Sequence, residues 1–531
     1  MAPGAAETSA GDLGTDDAAP GHGDRARHSY GQILKSSVVI GGSSVLTLAT
    51  GVVRSKAIAM LLGPAGFGLM GLYTSIAQLA QSISGMGVNA SGVRQIAAAA
   101  GTGDVRDVAR TAAVLRRTSF ALGLIGAALV VALARPISVL TFGDGGRRLP
   151  VALLGLVVFF GAINQGQAAL IQGLRRIADL ARMNALGALA GAVASVALVA
   201  WLGEGGVVPA LVATAAASVA FSWWHARTVE LPPAALPAPE VRREVAGLLK
   251  LGFAFMANGM LMTGAAYVVR ILVVRSVGFH AAGLYQSAWT IGGLYVGFIL
   301  QAMGADFYPR LTAAIRDRTE ANRLVNEQAH VSLLLAGPGV IATLVLAPLV
   351  LTVLYSTTFR DGVGVLRWIC LGAGLQVITW PIGYIVVAEG RQAIFFWIQV
   401  AYAGAYLAAA AVLVHAFGLD GAGMAFFASY VFHWALVYPI VRRLTGFRWS
   451  AANRRTGLLF LALVGGVFGA FHVLPFAAAT GVGLVALVLD TAYSLRALAR
   501  LVSPERLPRP IRSLLALAGA RGGGPGAPAS G

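Results

Sequence analysis

The chain has 531 residues, of which 57% are hydrophobic and only 12% charged, and its mean hydropathy is +0.75. Soluble domains carry roughly 25% charged residues, so this composition indicates a polytopic membrane protein. We attribute the net charge of +18 to lysines and arginines in cytoplasmic loops, which set the membrane topology, and not to nucleic-acid binding. The single cysteine, Cys370, excludes an internal disulfide and a cysteine metal site, and no lysine follows a glycine, which excludes a Walker A loop. We expect no cofactor.

Fourteen apolar segments follow one another along the chain, each close to the 20 residues that cross a bilayer. In the first half they are roughly Ile33–Leu62, Phe67–Val88, Ala112–Ala134, Val151–Leu174, Leu180–Leu202 and Val207–Ala226. In the second half they are Leu248–Val277, Ala281–Phe307, Ala329–Tyr355, Val363–Ala388, Ala393–His415 and Leu419–Val441, followed by the pair Gly457–Leu474 and Phe476–Leu498. The pattern predicts an all-α polytopic membrane protein with 12–14 transmembrane helices, arranged as two pseudo-symmetric six-helix lobes plus a C-terminal helix pair.

Composition shifts between these segments predict the domain organisation. It comprises a disordered cytoplasmic tail (1–32), an N-lobe (33–227), a Pro-rich cytoplasmic linker (228–246), a C-lobe (247–444), the extra helix pair (445–501) and a second disordered cytoplasmic tail (502–531). With the N-terminus placed in the cytoplasm, 31 of the 40 lysines and arginines lie on the cytoplasmic side. This bias follows the positive-inside rule and predicts a multi-pass protein of the bacterial cytoplasmic (inner) membrane with its N-terminus inside.

A turn repeated in both halves is the most informative feature of the sequence. Gly63, Gly68 and Leu69 match Gly278, Gly283 and Leu284 at the same spacing, and each turn follows an apolar segment that contains cations. In the first half these cations are Arg54 and Lys56, and in the second half they are Arg270 and Arg275. The repetition predicts a duplicated membrane transporter.

Cations inside a membrane segment are costly, by about 2.5–3.5 kcal/mol on insertion scales, and usually mark a function. For Arg54 and Arg270 we predict a water-filled cavity that binds an anion, and the arginine fork suits phosphate. For Lys56 and Arg275 two interpretations stay open, because each could also extend to the outer headgroups.

Polar and aromatic side chains recur along the predicted spans, as a path for sugars would require. The predicted polar lining is Gln78, Asn89, Asn258, Gln286 and Gln301, with Gln376, Gln399, Trp289, Trp380 and Tyr384 among the further amides and aromatic rings. For any one of these residues, helix–helix hydrogen bonding or an interfacial belt is the more ordinary role. Asp306 and Arg310, at the cytoplasmic end of the eighth span, are candidate gating residues, and Asp490 is a candidate buried acid.

Two stretches carry a family resemblance. Residues 54–73, RSKAIAMLLGPAGFGLMGLY, and residues 306–311, DFYPRL, with 322–328, NRLVNEQ, resemble the bacterial O-antigen translocases. These are the Wzx-type oligosaccharide flippases of the multidrug/oligosaccharidyl-lipid/polysaccharide (MOP) exporter superfamily. The resemblance covers about residues 33–441.

The resemblance implies two six-helix lobes around a central cavity and translocation of undecaprenyl-pyrophosphate-linked oligosaccharide between leaflets. It also implies that the cavity cations bind the pyrophosphate and that a polysaccharide polymerase and chain-length proteins are partners. Many members have twelve spans, so the extra pair departs from the pattern.

Three alternatives remain at this stage. A flippase for a lipid II-type peptidoglycan precursor shares the pyrophosphate and the fourteen spans. A MATE-like drug or cation antiporter would need an acidic cavity, and a membrane enzyme acting on lipid-linked sugars would need a large outward loop or a carboxylate pair. The sequence offers none of these last features, so we expect a transporter and not an enzyme.

Overall fold

A computed structural model of the chain describes residues 22–233 and 238–501. Within these ranges the side chains of residues 22–44, 238–241, 251, 254–255, 258, 294–295, 298–299, 301–306 and 501 lie outside the description. The described part is helical, with short 3-10 turns and no strand.

Sixteen α-helices account for almost all of the described residues. They are α1 (His22–Ser84), α2 (Val88–Gly101), α3 (Val105–Ala132), α4 (Ala134–Phe142), α5 (Arg148–Gly173), α6 (Ile177–Leu202), α7 (Val207–Ala226), α8 (Ala238–Val277), α9 (Phe279–Ala314), α10 (Arg318–Val345), α11 (Ala347–Leu354), α12 (Val363–Ala388), α13 (Gln392–Phe417), α14 (Leu419–Thr445), α15 (Ala451–Val473) and α16 (Phe476–Leu501).

The predicted all-α polytopic membrane fold is confirmed. Eleven helical stretches of the described chain are long and apolar enough to cross a membrane. The stretch 177–226 contains two of the predicted spans, and the stretch 45–84 covers most of two others. The predicted span Ala329–Tyr355 is broken at Leu346 into α10 and the short α11. A matching break at Leu133 separates α3 from α4 in the first half.

The boundaries of two predicted regions differ from the structure. Helix α1 begins at His22, inside the predicted tail 1–32, and α8 begins at Ala238, inside the predicted linker 228–246. The second predicted tail, 502–531, lies outside the described residues. Helix propensity explains the linker difference, because the stretch that follows Pro239 (EVRREVAGLLK) is rich in good helix formers and has a proline at a first-turn position.

The backbone itself repeats between the halves. Gly63 bends α1 with a φ of 64° and a ψ of −174°, and Gly278 precedes α9 with a φ of 103° and a ψ of 175°. Gly203 and Gly418 end α6 and α13 with φ values of 57° and 59° and ψ values of −134° and −133°. Each pair is 215 residues apart, so the two halves share one fold with one register.

The halves meet at two glycines that are equivalent in this register, Gly68 and Gly283. A Cβ atom on Gly68 would lie 2.6 Å from the Phe279 carbonyl oxygen and 2.6 Å from the Gly283 nitrogen. A Cβ on Gly283 would overlap the Pro64 carbonyl oxygen. Because Pro64 and Phe279 are also equivalent, the contact is two-fold symmetric, and the pseudo-symmetry axis passes between α1 and α9.

The C-terminal pair packs on one lobe only. Helices α15 and α16 contact each other and α10, and α15 also contacts α12. Phe460, Val464 and Val467 of α15 are buried in the same apolar cluster as the C-lobe helices. The pair therefore enlarges the C-lobe and lies away from the contact between the lobes.

Replacing Gly283 with alanine tests the close approach at the axis. We expect Gly283→Ala to lower stability by about 1–3 kcal/mol, the usual effect of overpacking, because its Cβ would meet rigid backbone. Gly404→Ala is the matched control, because this helical glycine of α13 has open space around it and alanine favours the helix by up to about 1 kcal/mol. The thermal midpoint of each purified variant in detergent, followed by tryptophan fluorescence, is the measurement. Equal midpoints for both variants would contradict the close contact.

Candidate functional site: two membrane arginines and an adjoining cavity

Arg270 lies on α8 and is oriented by a residue of α9. Its Nε donates a hydrogen bond of 2.9 Å to Gln286 Oε1, and its guanidinium carbon lies 6.0 Å from the centre of the Trp289 ring. Gln286 fits here because the facing residue is Gly71, where a Cβ would lie 2.9 Å from Gln286 Oε1. A glycine near the pseudo-symmetry axis thus makes room for the amide that positions the arginine.

Arg54 lies on α1 at a similar distance from its turn, one residue away from the position that matches Arg270 in the repeat. It precedes the Gly63 bend by nine residues, and Arg270 precedes Gly278 by eight. At 1.5 Å per helical residue, both lie roughly 12–14 Å from their turns. The Arg54 side chain is half-buried, and its buried Nε has no hydrogen-bond partner in the described part of the structure.

No carboxylate of the described residues pairs with either arginine. Two guanidinium groups at similar depth, one in each lobe, therefore keep donors free for a ligand. Buried positive charge without a counter-ion favours an anion, and the arginine fork matches two phosphate oxygens at once. Within the same residues, no group of three or more metal-ligating side chains occurs.

Lys56 and Arg275 lie closer to the turns, and each contacts the opposite lobe. Lys56 Nζ donates to the Val353 carbonyl oxygen of α11 at 2.7 Å. Arg275 donates to the carbonyl oxygens of Val139 and Leu140 in α4, the second at 2.6 Å. In each case a cation meets the C-terminal end of a short helix, where the helix dipole favours positive charge. These reciprocal contacts join the lobes on the side predicted to be external. That Lys56 and Arg275 also bind the substrate stays a prediction.

A second contact joins the lobes on the opposite, predicted cytoplasmic side. A Cβ on Gly87 would overlap the carbonyl of Gly252, and a Cβ on Gly252 would overlap the Met86 carbonyl oxygen. Apolar side chains add to this contact, because Leu248 of α8 is buried in one cluster with Val88, Ile96 and Leu115 of the N-lobe. The lobes are therefore held at both ends, with hydrogen bonds at the external side and with close backbone and apolar packing at the cytoplasmic side.

The other predicted site residues lie apart from the arginines or outside the description. Asn89 Nδ2 donates to the Gln165 carbonyl oxygen at 3.0 Å and so joins α2 to α5. Gln78 and Arg310 are exposed. The side chains of Asn258, Gln301 and Asp306 lie outside the described residues. Their roles stay predictions.

Asp490 is buried between α16 and α10. It is 4% exposed, it lies against Gly337, and its Oδ2 has no hydrogen-bond partner among the described residues. Both helices lie on the C-lobe side, away from the axis between the lobes.

A cavity of about 430 Å³ opens in the C-lobe between α8, α12, α13 and α14. A second cavity, of about 230 Å³, shares Met262, Gln376, Tyr402 and Tyr430 with the first and is also lined by Trp289. The larger cavity contains Gln376, Trp380, Tyr384 and Gln399, which the sequence had singled out, together with Tyr402, Tyr430 and His433, which it had not. The missed residues carry a recognisable spacing: Tyr402 and Tyr406 are four apart on α13, and Tyr430 and His433 are three apart on α14.

Solved structures share this architecture. The inward closed structure of the lipid II flippase MurJ has a TM-score of 0.67 at 11% identity, with 87% of this chain and 99% of that chain covered. An inward-facing multidrug resistance MATE family transporter of the MOP superfamily has a TM-score of 0.63 at 18% identity, with 77% and 96% covered. The fold is that of the MOP superfamily.

The chain belongs to the polysaccharide biosynthesis protein family, whose profile matches residues 57–363. It is 24% identical over 411 residues to the lipid III flippase of Escherichia coli strain K12, with 76% of this chain and 97% of that protein covered. The lipid III flippase of Shigella flexneri matches to the same extent. These findings confirm the predicted relationship to the Wzx-type flippases of the MOP superfamily.

Removing the two cross-lobe cations tests the external contact. With the native thiol Cys370 buried, a reporter thiol introduced by Trp289→Cys lines the smaller cavity. We expect Lys56→Met or Arg275→Met to increase labelling of this thiol by an external, membrane-impermeant maleimide about fivefold, since each lost hydrogen bond is worth about 1 kcal/mol.

Arg360→Met is the matched control, because Arg360 is an external cation whose Nε bonds Thr352 within its own lobe at 2.9 Å. Its labelling rate should equal that of the parent. If all three variants label at the parent rate, the contacts of Lys56 and Arg275 do not close the external side.

Proposed function

We propose that this protein is a flippase that moves a lipid-linked, pyrophosphate-bound sugar unit from the cytoplasmic to the outer leaflet of the bacterial inner membrane. The observation that carries the proposal is the pair Arg54 and Arg270, two membrane arginines one residue apart in the register of the repeat, with no carboxylate partner in the described structure. Pyrophosphate is the charged part of such a lipid that must lose water on the way across, and two guanidinium groups replace that water with hydrogen bonds.

The contacts between the lobes support an alternating-access mechanism. Separation of the backbone contact at Gly87 and Gly252 opens the cytoplasmic side and admits the headgroup to the arginines, while the lipid tail stays in the bilayer between the lobes. Release of the Lys56 and Arg275 contacts opens the external side. The close contact of Gly68 and Gly283 lies at the axis between the lobes, five residues after each turn, and serves as the pivot in this proposal.

The membrane potential supplies part of the driving force. Moving an anion outward across an inside-negative membrane is favourable by about 2.3 kcal/mol per charge per 100 mV if the charge crosses the full field. A headgroup that travels with bound counter-ions loses this gain. Some driving force therefore exists without a dedicated coupling ion.

The finer assignment follows from the family resemblance. We infer that the carrier is undecaprenyl pyrophosphate and that the sugar is a repeat unit for O-antigen or exopolysaccharide synthesis. The N-terminus then lies in the cytoplasm, and a polysaccharide polymerase with chain-length proteins receives the product. The relatives described as lipid III flippases support a lipid-linked sugar as the substrate class.

Two other substrates can be separated from this one by chemistry. A lipid II-type precursor also carries pyrophosphate. This chain has the additional helices α15 and α16, and its likeness to MurJ covers 87% of its length. Both features favour a lipid II-type precursor as the second candidate. A cationic drug is disfavoured because the two membrane arginines would repel it.

The test is flipping of a fluorescent undecaprenyl-pyrophosphate oligosaccharide in proteoliposomes. We expect Arg54→Gln and Arg270→Gln each to slow flipping about tenfold or more, because a charged hydrogen bond contributes about 1.5–3 kcal/mol. Lysine at either position should restore part of the rate, since it keeps the charge and loses the fork.

Arg182→Gln is the matched control: this arginine is on the surface, 69% exposed, and we expect no change. Lipid II in the same assay distinguishes the second candidate. Undiminished flipping by both membrane-arginine variants would contradict the proposed site, and transport of organic cations alone would contradict the function.

A further inference from the structure

The two C-lobe cavities lie beside the proposed anion site. Arg270 faces the Trp289 ring at 6.0 Å, and Trp289 lines the smaller cavity. The smaller cavity continues into the larger one through four shared lining residues, which include Gln376 and Tyr402. Trp289 therefore links Arg270 to the two connected cavities of the C-lobe.

The larger cavity has the chemistry of a sugar site. Its volume of about 430 Å³ lies in the range of about 300–1,000 Å³ that is usual for small-molecule sites. Trp380, Tyr384 and Tyr402 supply aromatic faces, against which the C–H face of a pyranose ring can pack. Gln376 and Gln399 supply amide groups, and neither side chain has an oxygen or nitrogen partner within the described residues.

His433 gives a second, independent indication of a ligand. It is 9% exposed, it lines the larger cavity, and its Nδ1 has no hydrogen-bond partner among the described residues. Its ring packs edge-on against Tyr402 at 5.2 Å and Tyr430 at 6.0 Å between ring centres, so the ring is fixed in place. A buried polar atom that is left unpaired is unfavourable, and a sugar hydroxyl would satisfy it.

The described lining of both cavities contains no lysine, arginine, aspartate or glutamate. Amides, phenol hydroxyls and a buried imidazole bind hydroxyl and acetamido groups without any charge to neutralise. A uronic acid would enter without a cationic partner, which is unfavourable in a buried site.

We propose that the larger C-lobe cavity binds the uncharged pyranose residues that follow the pyrophosphate. The arginines then bind the anion, and the cavity determines which sugar is accepted. This inference rests on the proposed function and deepens it. It assigns to Trp380, Gln376 and His433 the selection of sugar, separately from the anchoring of the carrier.

Binding of two probes to purified protein in detergent tests the assignment by calorimetry. One probe is a bare short-chain prenyl pyrophosphate, and the other is the same compound bearing a disaccharide of uncharged pyranoses. We expect His433→Phe and Trp380→Leu each to weaken the sugar-bearing probe by about three- to tenfold and to leave the bare probe unchanged. We expect Arg270→Gln to weaken both probes by the same factor. His415→Phe, the same change at an exposed position of α13, should affect neither.

The outcomes separate the two proposals. If the wild type binds the bare probe and the cavity variants bind both probes normally, or lose both equally, the sugar site is overturned while the anion site stands. If the wild type binds neither probe, the proposed function fails and the sugar site falls with it. A probe that carries a uronic acid in place of the first pyranose should bind no more tightly than the bare probe, and tighter binding would overturn the selection for uncharged sugars.

Discussion

The architecture depends on one close approach, that of Gly68 to Gly283 at the pseudo-symmetry axis. Backbone meets backbone there, so no side chain fits on either residue. The constraint fixes the distance between α1 and α9. Arg54 lies on α1 and Arg270 on α8, which turns directly into α9, so the same constraint acts on both arginines. A change of a few tenths of an ångström at the axis would alter the spacing of the two cations. Small residues at helix contacts are common in membranes because they allow such approach, but here the contact also sets the geometry of the proposed binding site.

The two membrane arginines near this axis are unfavourable for stability and favourable for binding an anion. Each membrane arginine opposes insertion by about 2.5–3.5 kcal/mol, and the structure offers only partial compensation: Gln286 and Trp289 for Arg270, and for the Nε of Arg54 no partner within the described chain. The packing of sixteen helices elsewhere must offset this unfavourable term. A bound anion removes this unfavourable free energy, and the free energy returns when the anion leaves. The anion can therefore both bind and dissociate. The aromatic cavity beside Trp289 adds uncharged contacts. These contacts can discriminate between sugars without raising the affinity for phosphate.

The sequence predicted the fold well because its signals are local. Apolar segments and each copy of the glycine turn depend on residues close in sequence, and the backbone angles at Gly63 and Gly278 agree with the duplication. The start of α8 was misplaced because prolines near a helix start can belong to the first turn. The partners of Lys56 and Arg275 could not be predicted, since each lies in the opposite lobe and is a backbone carbonyl, which carries no residue signature. His433 and Tyr402 were missed for a similar reason, because a cavity arises from the packing of several helices.

The pair formed by Gly71 and Gln286 has a consequence for how such a protein can arise. Six spans in each lobe give both lobes the same orientation, so a single lobe could form a parallel homodimer with an isologous interface. In that dimer the residue at position 71 would face a copy of itself across the axis, and two glutamines would clash where one glutamine now lies against a glycine. Fusion of the halves into one chain removes the requirement for identity. It permits an amide on one side only, and with it one arginine that is held in a fixed orientation and one that is left free.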